Sequence, residues 1–196
     1  MVENWSLMQE DIELRNCLRN LSMAELELVI REAEPQDAKS LIDFLNQVGQ
    51  ESDYMTLDDA GILMTEEQMS SFIEHQAASD NQIYLIALLD NEITGLVSIT
   101  ADFHERIRHI GQVFIVVKRA FWNQGLGKLL LEEAIDWAEN SGVIRRLELT
   151  VQARNERAVH LYQAFGFEIE GIQKRGAYLA EGKFLDVYLM GLLIDE

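Results

Sequence analysis

Cysteine and proline are almost absent from the sequence, which contains one of each. Cys17 alone cannot form an intrachain disulfide, and no cluster of thiols exists that could hold a structural metal. Apart from Pro35, no Gly/Ser/Pro-rich tract and no repeat marks a linker. We therefore expect a single domain without a metal site, in a reducing compartment, the cytoplasm.

Basic residues are scarce relative to acidic ones. The 196 residues include 34 Asp and Glu against 16 Lys and Arg, which gives a formal net charge of -18. Binding to a phosphate backbone needs clustered cations, so we expect no nucleic acid partner. The same charge serves solubility and would also raise the local concentration of a cationic substrate.

Long apolar runs are missing as well. No stretch reaches the roughly 18 uncharged apolar residues that a membrane span needs. The first residues mix acids with apolar side chains, which is not typical of a signal peptide. We therefore expect no membrane partner, although 48% hydrophobic residues suffice for one sizeable core.

Helical spacing of apolar residues predicts two helices in the first half of the chain. Residues 34–49 place Pro35 in the first turn and a glycine at the end, and residues 65–79 begin at a Thr65 cap. The polar segment 50–61 between them is predicted to be a solvated loop, although its acids could face an active-site mouth. Residues 8–26 are predicted to form a short amphipathic helix that leads into a strand.

From residue 82 the pattern changes to strands. Three antiparallel strands are predicted, with a turn over residues 91–95 and a charged loop over 104–109. The strands cover residues 82–90, 96–103 and 110–117. The order then becomes helix, strand, helix, strand and strand, which predicts a mixed α/β sheet. These elements cover residues 125–141, 145–152, 155–165, 167–175 and 183–194.

Gly125 and Gly127 stand at the head of a leucine-rich helix, directly after a strand. The dinucleotide fingerprint would need a third glycine at Leu130, and the triphosphate-binding loop would need Ser or Thr at Leu129. What remains is Gly-x-Gly at a helix start, where backbone N–H groups and the helix dipole suit a pyrophosphate. The alternative is a tight turn that binds nothing.

The segment 113–171 resembles the central part of the GCN5-related N-acetyltransferase (GNAT) superfamily. That family has a turn of the form [Q/R]-x-x-G-x-[G/A], and this chain supplies both small residues but carries Trp122 where Gln or Arg is usual. The second family motif, N-x-x-A-x-x-L-Y-x-x-x-G-F, is matched at every position by Asn155, Ala158, Leu161, Tyr162, Gly166 and Phe167. The likeness extends less densely from residue 26 to residue 194.

The resemblance implies an α/β fold: a single GNAT domain over residues 26–196, with a mostly antiparallel central sheet, a splayed parallel pair of strands and about four helices. Residues 1–25 would form an N-terminal extension, expected to be helical. The implied cosubstrate is acetyl-coenzyme A, with its pyrophosphate on the amides of residues 124–128 and its pantetheine arm along residues 114–117. The residues expected to bind it are Phe114, Ile115, Val116, Val117, Gln124, Gly125, Leu126, Gly127, Lys128, Asn155 and Arg157. Trp122 is expected to alter packing without abolishing binding.

Acetyl transfer to an amine needs a proton donor for the departing thiolate and a proton acceptor for the amine. A phenol with a pKa of about 10 is protonated at neutral pH, and the resemblance places the family's catalytic tyrosine at Tyr162. The general base stays open among Asp102, His104, Glu105, His109 and Glu148. The nucleotide phosphates could meet Arg154, Arg157 or Arg119, although the first two could equally be surface charges at a helix start.

The sequence thus predicts an acetyl-coenzyme A-dependent N-acetyltransferase that works by direct transfer in a ternary complex. The acceptor would be a primary amine: a small amine or polyamine, an amino acid or a protein N-terminus. The alternatives are a non-catalytic regulator that binds coenzyme A and, less in keeping with the motifs, a nucleotide-binding domain. A homodimer is possible through the apolar last strand, for which a buried position is preferred.

Overall fold

The computed structural model describes residues 27–55, 61–179 and 182–194. Within them the chain forms one seven-stranded sheet and four α-helices. The predicted helix over residues 8–26, the N-terminal extension and Cys17 lie outside the described residues.

The first half of the described chain contributes two helices and four strands. These are β1 (Leu28–Glu32), α1 (Ala38–Glu51), α2 (Glu66–Ala77), β2 (Ile83–Leu89), β3 (Glu92–Ala101) and β4 (Ile110–Val117). Both helices begin with the predicted signals. Pro35 opens a short 3-10 turn ahead of α1, and the Thr65 side chain accepts a hydrogen bond from the backbone N–H of Gln68 at the start of α2.

The predicted turn over residues 91–95 is wrong in position. The chain reverses at Asp90 and Asn91, whose φ angles are 50° and 64°, and Glu92 already begins β3. Two consecutive left-handed residues give a two-residue hairpin the twist of its flanking strands. Asp and Asn enter this backbone region more readily than other residues with a side chain, so the tighter turn is the more favourable one.

The second half alternates helices and strands before a closing hairpin. Its elements are α3 (Leu126–Asn140), β5 (Arg146–Gln152), α4 (Glu156–Ala164), β6 (Glu168–Tyr178) and β7 (Phe184–Leu193). The strand order in the sheet is β1-β2-β3-β4-β5-β7-β6, and every neighbouring pair is antiparallel except β4 and β5. The predicted mixed sheet with one parallel pair and four helices is confirmed.

The parallel pairing of β4 with β5 is short. It covers three residue pairs, from Ile110 opposite Arg146 to Gln112 opposite Glu148, and beyond them the two strands have no paired residues. Because α3 connects the two strands, the turn that begins this helix lies at the end of β4 where the pairing has stopped. We call this junction of β4 and β5 the seam.

Two clusters of buried side chains cover the two faces of the sheet. On the front face, α1 and α2 pack on β2, β3 and β4 through residues such as Leu41, Ile73 and Leu96. On the back face, α3 and α4 pack on strands from both sides of the seam, and Leu130 and Leu147 are fully buried there. The seam is thus held between helices on its back face.

Candidate active site

A cleft with a volume of about 370 Å³ lies where β4 and β5 separate. Its walls come from β4, the end of β5, the turn and first residues of α3, the inner side of α4 and the segment that follows α1. The charged side chains in its described lining are both cationic, Lys128 and Arg157. In a chain with about twice as many acids as bases, this local reversal of charge favours an anionic ligand.

The edge of β4 offers backbone hydrogen bonds to the cleft. The N–H of Lys118 donates to the carbonyl of Thr94 at 2.9 Å, which fixes the phase of the antiparallel ladder between β3 and β4. Alternate residues of such a ladder direct their N–H and C=O groups to opposite sides. Val113, Ile115 and Val117 therefore direct theirs away from β3, toward the opening beside β5.

The turn after β4 presents the start of α3 to the cleft. Gly125 has a φ of 87°, a left-handed conformation that glycine adopts without steric cost, and Asn123 has a φ of 61°. The N–H of Leu129 donates to the carbonyl of Gly125 at 3.1 Å, so the preceding amides of Leu126 and Gly127 have no acceptor within the helix. A helix start of this form suits a phosphate group.

Trp122 connects this turn to β4 and to α4. Its indole Nε1–H donates to the carbonyl oxygen of Val117 at 2.7 Å. The guanidinium carbon of Arg157 lies 3.7 Å from the centre of the indole ring, and that of Arg119 lies 5.9 Å away. Burial lowers the pKa of Arg157, but an arginine with an ordinary value above 12 stays charged at neutral pH.

The helix α4 places Asn155 and Tyr162 on the same wall. The Asn155 side chain accepts a hydrogen bond from the N–H of Ala158 at 3.3 Å, so it caps α4 while it also lines the cleft. Tyr162 lies about two turns further on, is 7% exposed, and packs its ring 5.8 Å from that of Phe167. Burial raises the pKa of Tyr162, because the phenolate is poorly solvated there, and the hydroxyl stays protonated.

The structure brings most of the residues expected from the sequence to this one cleft. Those that line it are Phe114, Ile115, Val116, Val117, Gly125, Gly127, Lys128, Asn155, Arg157 and Tyr162. Two others do not reach it with their side chains. Leu126 is buried in the core, and the Gln124 side chain donates to the carbonyl of Ala120 at 2.7 Å. For both, the expected contact is through the backbone amide.

The prediction of a solvated loop over residues 50–61 is wrong for three of the described residues, which line the cleft, whereas Asp53 is exposed. Ser52, Tyr54 and Met55 line the cleft, and Asp53 forms an ion pair with Arg154 at 2.7 Å. The side chain of Gln152 also donates to the carbonyl of Asp53 at 2.7 Å. The signal available in the sequence was the adjacent Tyr54 and Met55, two large side chains in an otherwise polar segment.

The three arginines considered for the nucleotide phosphates have different surroundings. Arg154 is engaged by Asp53 and lies over the ring of Tyr54 at 5.0 Å. The backbone N–H of Arg119 donates to the Glu51 carboxylate at 2.6 Å, and its side chain is directed to the same residue. Arg157 lines the cleft. Of the three, only Arg157 is placed to meet a ligand there.

None of the five residues considered as a general base lines the cleft. Asp102 and His104 bind each other at 2.5 Å in the exposed loop between β3 and β4, and Glu105 lies 3.9 Å from Arg108 in that loop. Glu148 is nearer, because it accepts a hydrogen bond from Gln112, which does line the cleft. Its other oxygen is 3.3 Å from Nε of Arg146, so both oxygens of this carboxylate already have partners.

Two further features concern metals and membranes. In the three described ranges, no group of three or more His, Cys, Asp and Glu side chains could hold a metal ion. None of the helices in the same ranges is long and apolar enough to cross a membrane.

The model of the acetyltransferase (GNAT) family matches residues 51–167, a range that contains the whole seam, the turn and α4. A crystal structure of an acetyltransferase of the GNAT family from Streptococcus pneumoniae is 60% identical, covers 86% of this chain and 100% of its own, and superposes with a TM-score of 0.84. The chain belongs to the acetyltransferase (GNAT) family.

Other similar proteins agree on the fold and name several acceptors. The structure of yncA from Salmonella typhimurium with its cofactor acetyl-CoA is 20% identical over 87% of this chain and 95% of its own, with a TM-score of 0.75. L-amino acid N-acetyltransferase AaaT of Escherichia coli is 34% identical over 106 residues, or 54% of this chain. The [Ribosomal protein bS18]-alanine N-acetyltransferase of Salmonella typhimurium is 39% identical over 81 residues, or 41% of this chain. The matches span 65% and 53% of those two curated relatives.

Proposed function

We propose that this protein transfers the acetyl group of acetyl-coenzyme A to a primary amine, by direct attack of the amine within a ternary complex. The observation that carries the proposal is the cleft at the seam. One opening combines an unpaired strand edge, a helix start, two cations and a protonated tyrosine. Each corresponds to a separate requirement of the reaction.

The chemistry of the cleft fits the donor molecule. The edge groups of β4 suit the amides of a pantetheine arm, and the amides at the start of α3 suit a pyrophosphate. Lys128 and Arg157 add positive charge at the same wall. Acetyl-coenzyme A, when bound, supplies an activated thioester. The same fold with acetyl-CoA as its cofactor, in yncA, supports this choice.

Tyr162 would hold the proton that the departing thiolate needs. Its hydroxyl is kept protonated by burial, which raises the pKa of the phenol. A thiol in the same desolvated surroundings also has a raised pKa, because burial disfavours the thiolate as it disfavours the phenolate. The two shifts run in the same direction, so burial of the phenol does not by itself oppose transfer of its proton to the departing thiolate.

The acceptor is proposed at the level of its reacting group, a neutral primary amine. The similar proteins include an L-amino acid N-acetyltransferase and a [ribosomal protein bS18]-alanine N-acetyltransferase, and another relative, 27% identical, is a spermidine N(1)-acetyltransferase. Tyr54 and Met55 would contact the acceptor, since they line the cleft on its front side near the exposed Phe114. Cytoplasmic location and a homodimer are further parts of the proposal.

The test is thiol release from acetyl-coenzyme A with amino acids, N-terminal peptides and spermidine as acceptors. Tyr162→Phe should lower kcat about 100- to 10,000-fold, with the Kd for coenzyme A unchanged. The matched control is Tyr84→Phe. Tyr84 is also largely buried and has a pKa raised to about 12, but it packs 5.7 Å from Phe72 on the front face, away from the cleft.

Three results would decide the matter. Loss of turnover in Tyr162→Phe alone supports the assignment. Equal turnover in both variants would contradict a role for Tyr162 as the acid. Tight binding of coenzyme A without release from any amine would contradict catalysis and favour a regulator that only binds the coenzyme.

A further inference from the structure

Arg157 lacks the carboxylate partner that several other arginines of the described chain have. Arg31, Arg108 and Arg154 pair with carboxylates at 2.7, 2.6 and 2.7 Å. Within residues 27–55, 61–179 and 182–194, no carboxylate lies at ion-pair distance from Arg157, although the chain has 34 Asp and Glu residues. The residue as a whole is exposed, but its guanidinium is partly desolvated at the wall of the cleft, and a bound anion would supply the counter-charge that the described residues do not.

The position of Arg157 in the helix adds a second cost. It lies in the first turn of α4, where the helix dipole is positive and a cation is disfavoured. Burial lowers the pKa of the guanidinium, and the side chain lines the cleft beside the turn at Gly125. An anion bound between this helix start and the start of α3 would offset the dipole and the lost solvation together.

Trp122 is what holds the guanidinium in this position. The guanidinium carbon of Arg157 stands 3.7 Å from the centre of the indole ring, which is direct stacking. The indole is itself fixed, because its N–H donates to the carbonyl of Val117 at 2.7 Å. A rotation of the indole would break that hydrogen bond, so the stacked arginine has a rigid support on the end of β4.

The hydrogen bond also occupies one of the edge groups of β4. The carbonyl of Val117 belongs to the set that faces the cleft, and with Trp122 in place a ligand would have to pair with Ile115 and Val113 instead. Trp122 thus shifts the extended part of a ligand along β4 toward the seam. At the outer end of β4, the same indole orients the guanidinium of Arg157.

We propose that Trp122 is a positioning residue that holds Arg157 as the cation for the phosphate groups of the donor. This inference rests on the proposed function, because the donor is the molecule that carries the phosphates. Trp122 touches Arg157 and β4 and acts through them, and it takes no part in the transfer itself. Its substitution should therefore change donor affinity and leave turnover at saturation unchanged.

The experiment measures Kd for coenzyme A and steady-state kinetics in Trp122→Leu, Trp122→Phe and Arg157→Gln. Trp122→Leu removes the stacking face and the N–H, and we expect it to raise Kd and the KM for acetyl-coenzyme A about 10-fold, with kcat within about 2-fold. Trp122→Phe keeps a ring face and should restore most of the affinity. The double variant Trp122→Leu/Arg157→Gln should bind coenzyme A no more weakly than Arg157→Gln alone, because the two substitutions remove the same interaction.

A phosphate-free probe distinguishes positioning from a general structural effect. Acetyl-pantetheine has the thioester and the amides of the donor but no phosphate, so Trp122→Leu should raise its KM much less than that of acetyl-coenzyme A, because only the freed Val117 carbonyl bears on the pantetheine arm. Equal loss with both donors would overturn the inference, and so would a Trp122→Phe variant as weak as Trp122→Leu. The control is Trp137→Phe, a tryptophan of α3 that packs against the back-face core outside the cleft. It should leave both KM values unchanged.

The outcome for the wild type separates this inference from the proposed function. If the wild-type protein does not bind coenzyme A, the proposed function itself is wrong. If it binds coenzyme A and the Trp122 variants bind equally well, the function stands and the positioning role of Trp122 is wrong.

Discussion

The two sides of the seam are built differently. Strands β1 to β4 form a part of the sheet with helices on both faces, and seven consecutive residues of β3 are buried. Strands β5, β7 and β6 are packed mainly on the back face, and most residues of β6 are exposed. We call these the two-sided half and the one-sided half.

This difference explains where the cleft lies. The two-sided half is anchored by α1, α2 and α3, so β4 has a fixed course. The one-sided half is joined to it by only three residue pairs of β4 and β5, and beyond these the strands are free to diverge. A strand inside a sheet can bind a ligand along its edge only where it has stopped pairing with its neighbour. Here the strands stop pairing where the packing changes from two covered faces to one.

The largest expected effect compares two leucines on the front face. Successive strand pairings place Leu193 of β7 on the same face as Leu96 of β3, yet Leu96 is fully buried and Leu193 is 65% exposed. Leu96→Ala should lower the free energy of unfolding by about 2–5 kcal/mol, because it leaves a cavity under α1 and α2. Leu193→Ala should change it by less than about 0.5 kcal/mol. Urea denaturation of both variants measures the difference.

An equal loss in the two leucine variants would break the comparison. It would mean that the front face of the one-sided half is covered in solution, for example by a second subunit. Sedimentation of Leu193→Ala against the wild type would then show whether the oligomeric state had changed.

An intermediate effect is expected at the seam itself. A Cβ added at Gly111 of β4 would lie 2.6 Å from Cγ2 of Ile99 and 3.0 Å from Cδ2 of Leu147, the residue paired with it across the seam. Gly111→Ala should therefore destabilise the protein by about 1–3 kcal/mol through overpacking. The matched control is Gly171→Ala in the one-sided half, where the nearest atom is 3.5 Å away.

The glycine pair is checked by thermal unfolding with and without coenzyme A. Gly171→Ala should be nearly neutral or slightly stabilising, because alanine restricts the unfolded chain. If Gly111→Ala unfolds at the same temperature as Gly171→Ala, the close contact of β4 with β5 does not require a glycine at position 111.

The smallest effect concerns the pH dependence of stability. Burial disfavours the charged Asp37 carboxyl, but two hydrogen bonds from Arg31, at 2.7 and 2.9 Å, and one from the N–H of Glu34 outweigh it, so the pKa of Asp37 is lowered. A carboxyl whose folded pKa is lower stabilises the fold above its unfolded pKa of about 3.9. That contribution is lost as the pH falls through the folded value.

Asp37→Asn should therefore lower the free energy of unfolding by about 1 kcal/mol at pH 7 and flatten its fall below about pH 4. The comparison variant is Glu170→Gln in the one-sided half. Arg146 lowers the pKa of Glu170 in the same way, but Glu170 lies at the surface, so a smaller change is expected. Urea titrations at pH 7 and pH 3 measure both. If Glu170→Gln lowers the free energy of unfolding more than Asp37→Asn does, the carboxylate of the one-sided half contributes more to stability, and the expected ranking is wrong.

Much of the fold was predictable because its signals are local. Three local signals predict the order of the elements and place their ends to within a few residues. They are the caps at Pro35 and Thr65, the apolar periodicity of the helices and the alternation of the strands. The predicted turn is misplaced because Asn91 and Gly95, both turn-forming residues, stand at its two ends, yet pairing with β2 begins at Glu92 and extends the strand through Gly95.

The site was predictable in its motifs but less so in its surroundings. The family motifs indicated the turn at Gly125 and the helix with Tyr162, and both lie at the cleft. The segment with Tyr54 was read as solvated, because its attachment to Arg154 joins residues far apart in the sequence. No local pattern carries that information.

Arg154 and Arg157 show most clearly what a sequence cannot predict about a site. The sequence by itself determined that both arginines lie near the start of a helix, and its family motifs predicted a helix start, a strand edge and a tyrosine for a phosphate-bearing thioester. The tertiary structure alone decided that Asp53 engages Arg154 and that Trp122 stacks on Arg157. The reason is physical: a charge takes the partner that folding brings within a few ångströms, and that partner depends on how distant segments pack.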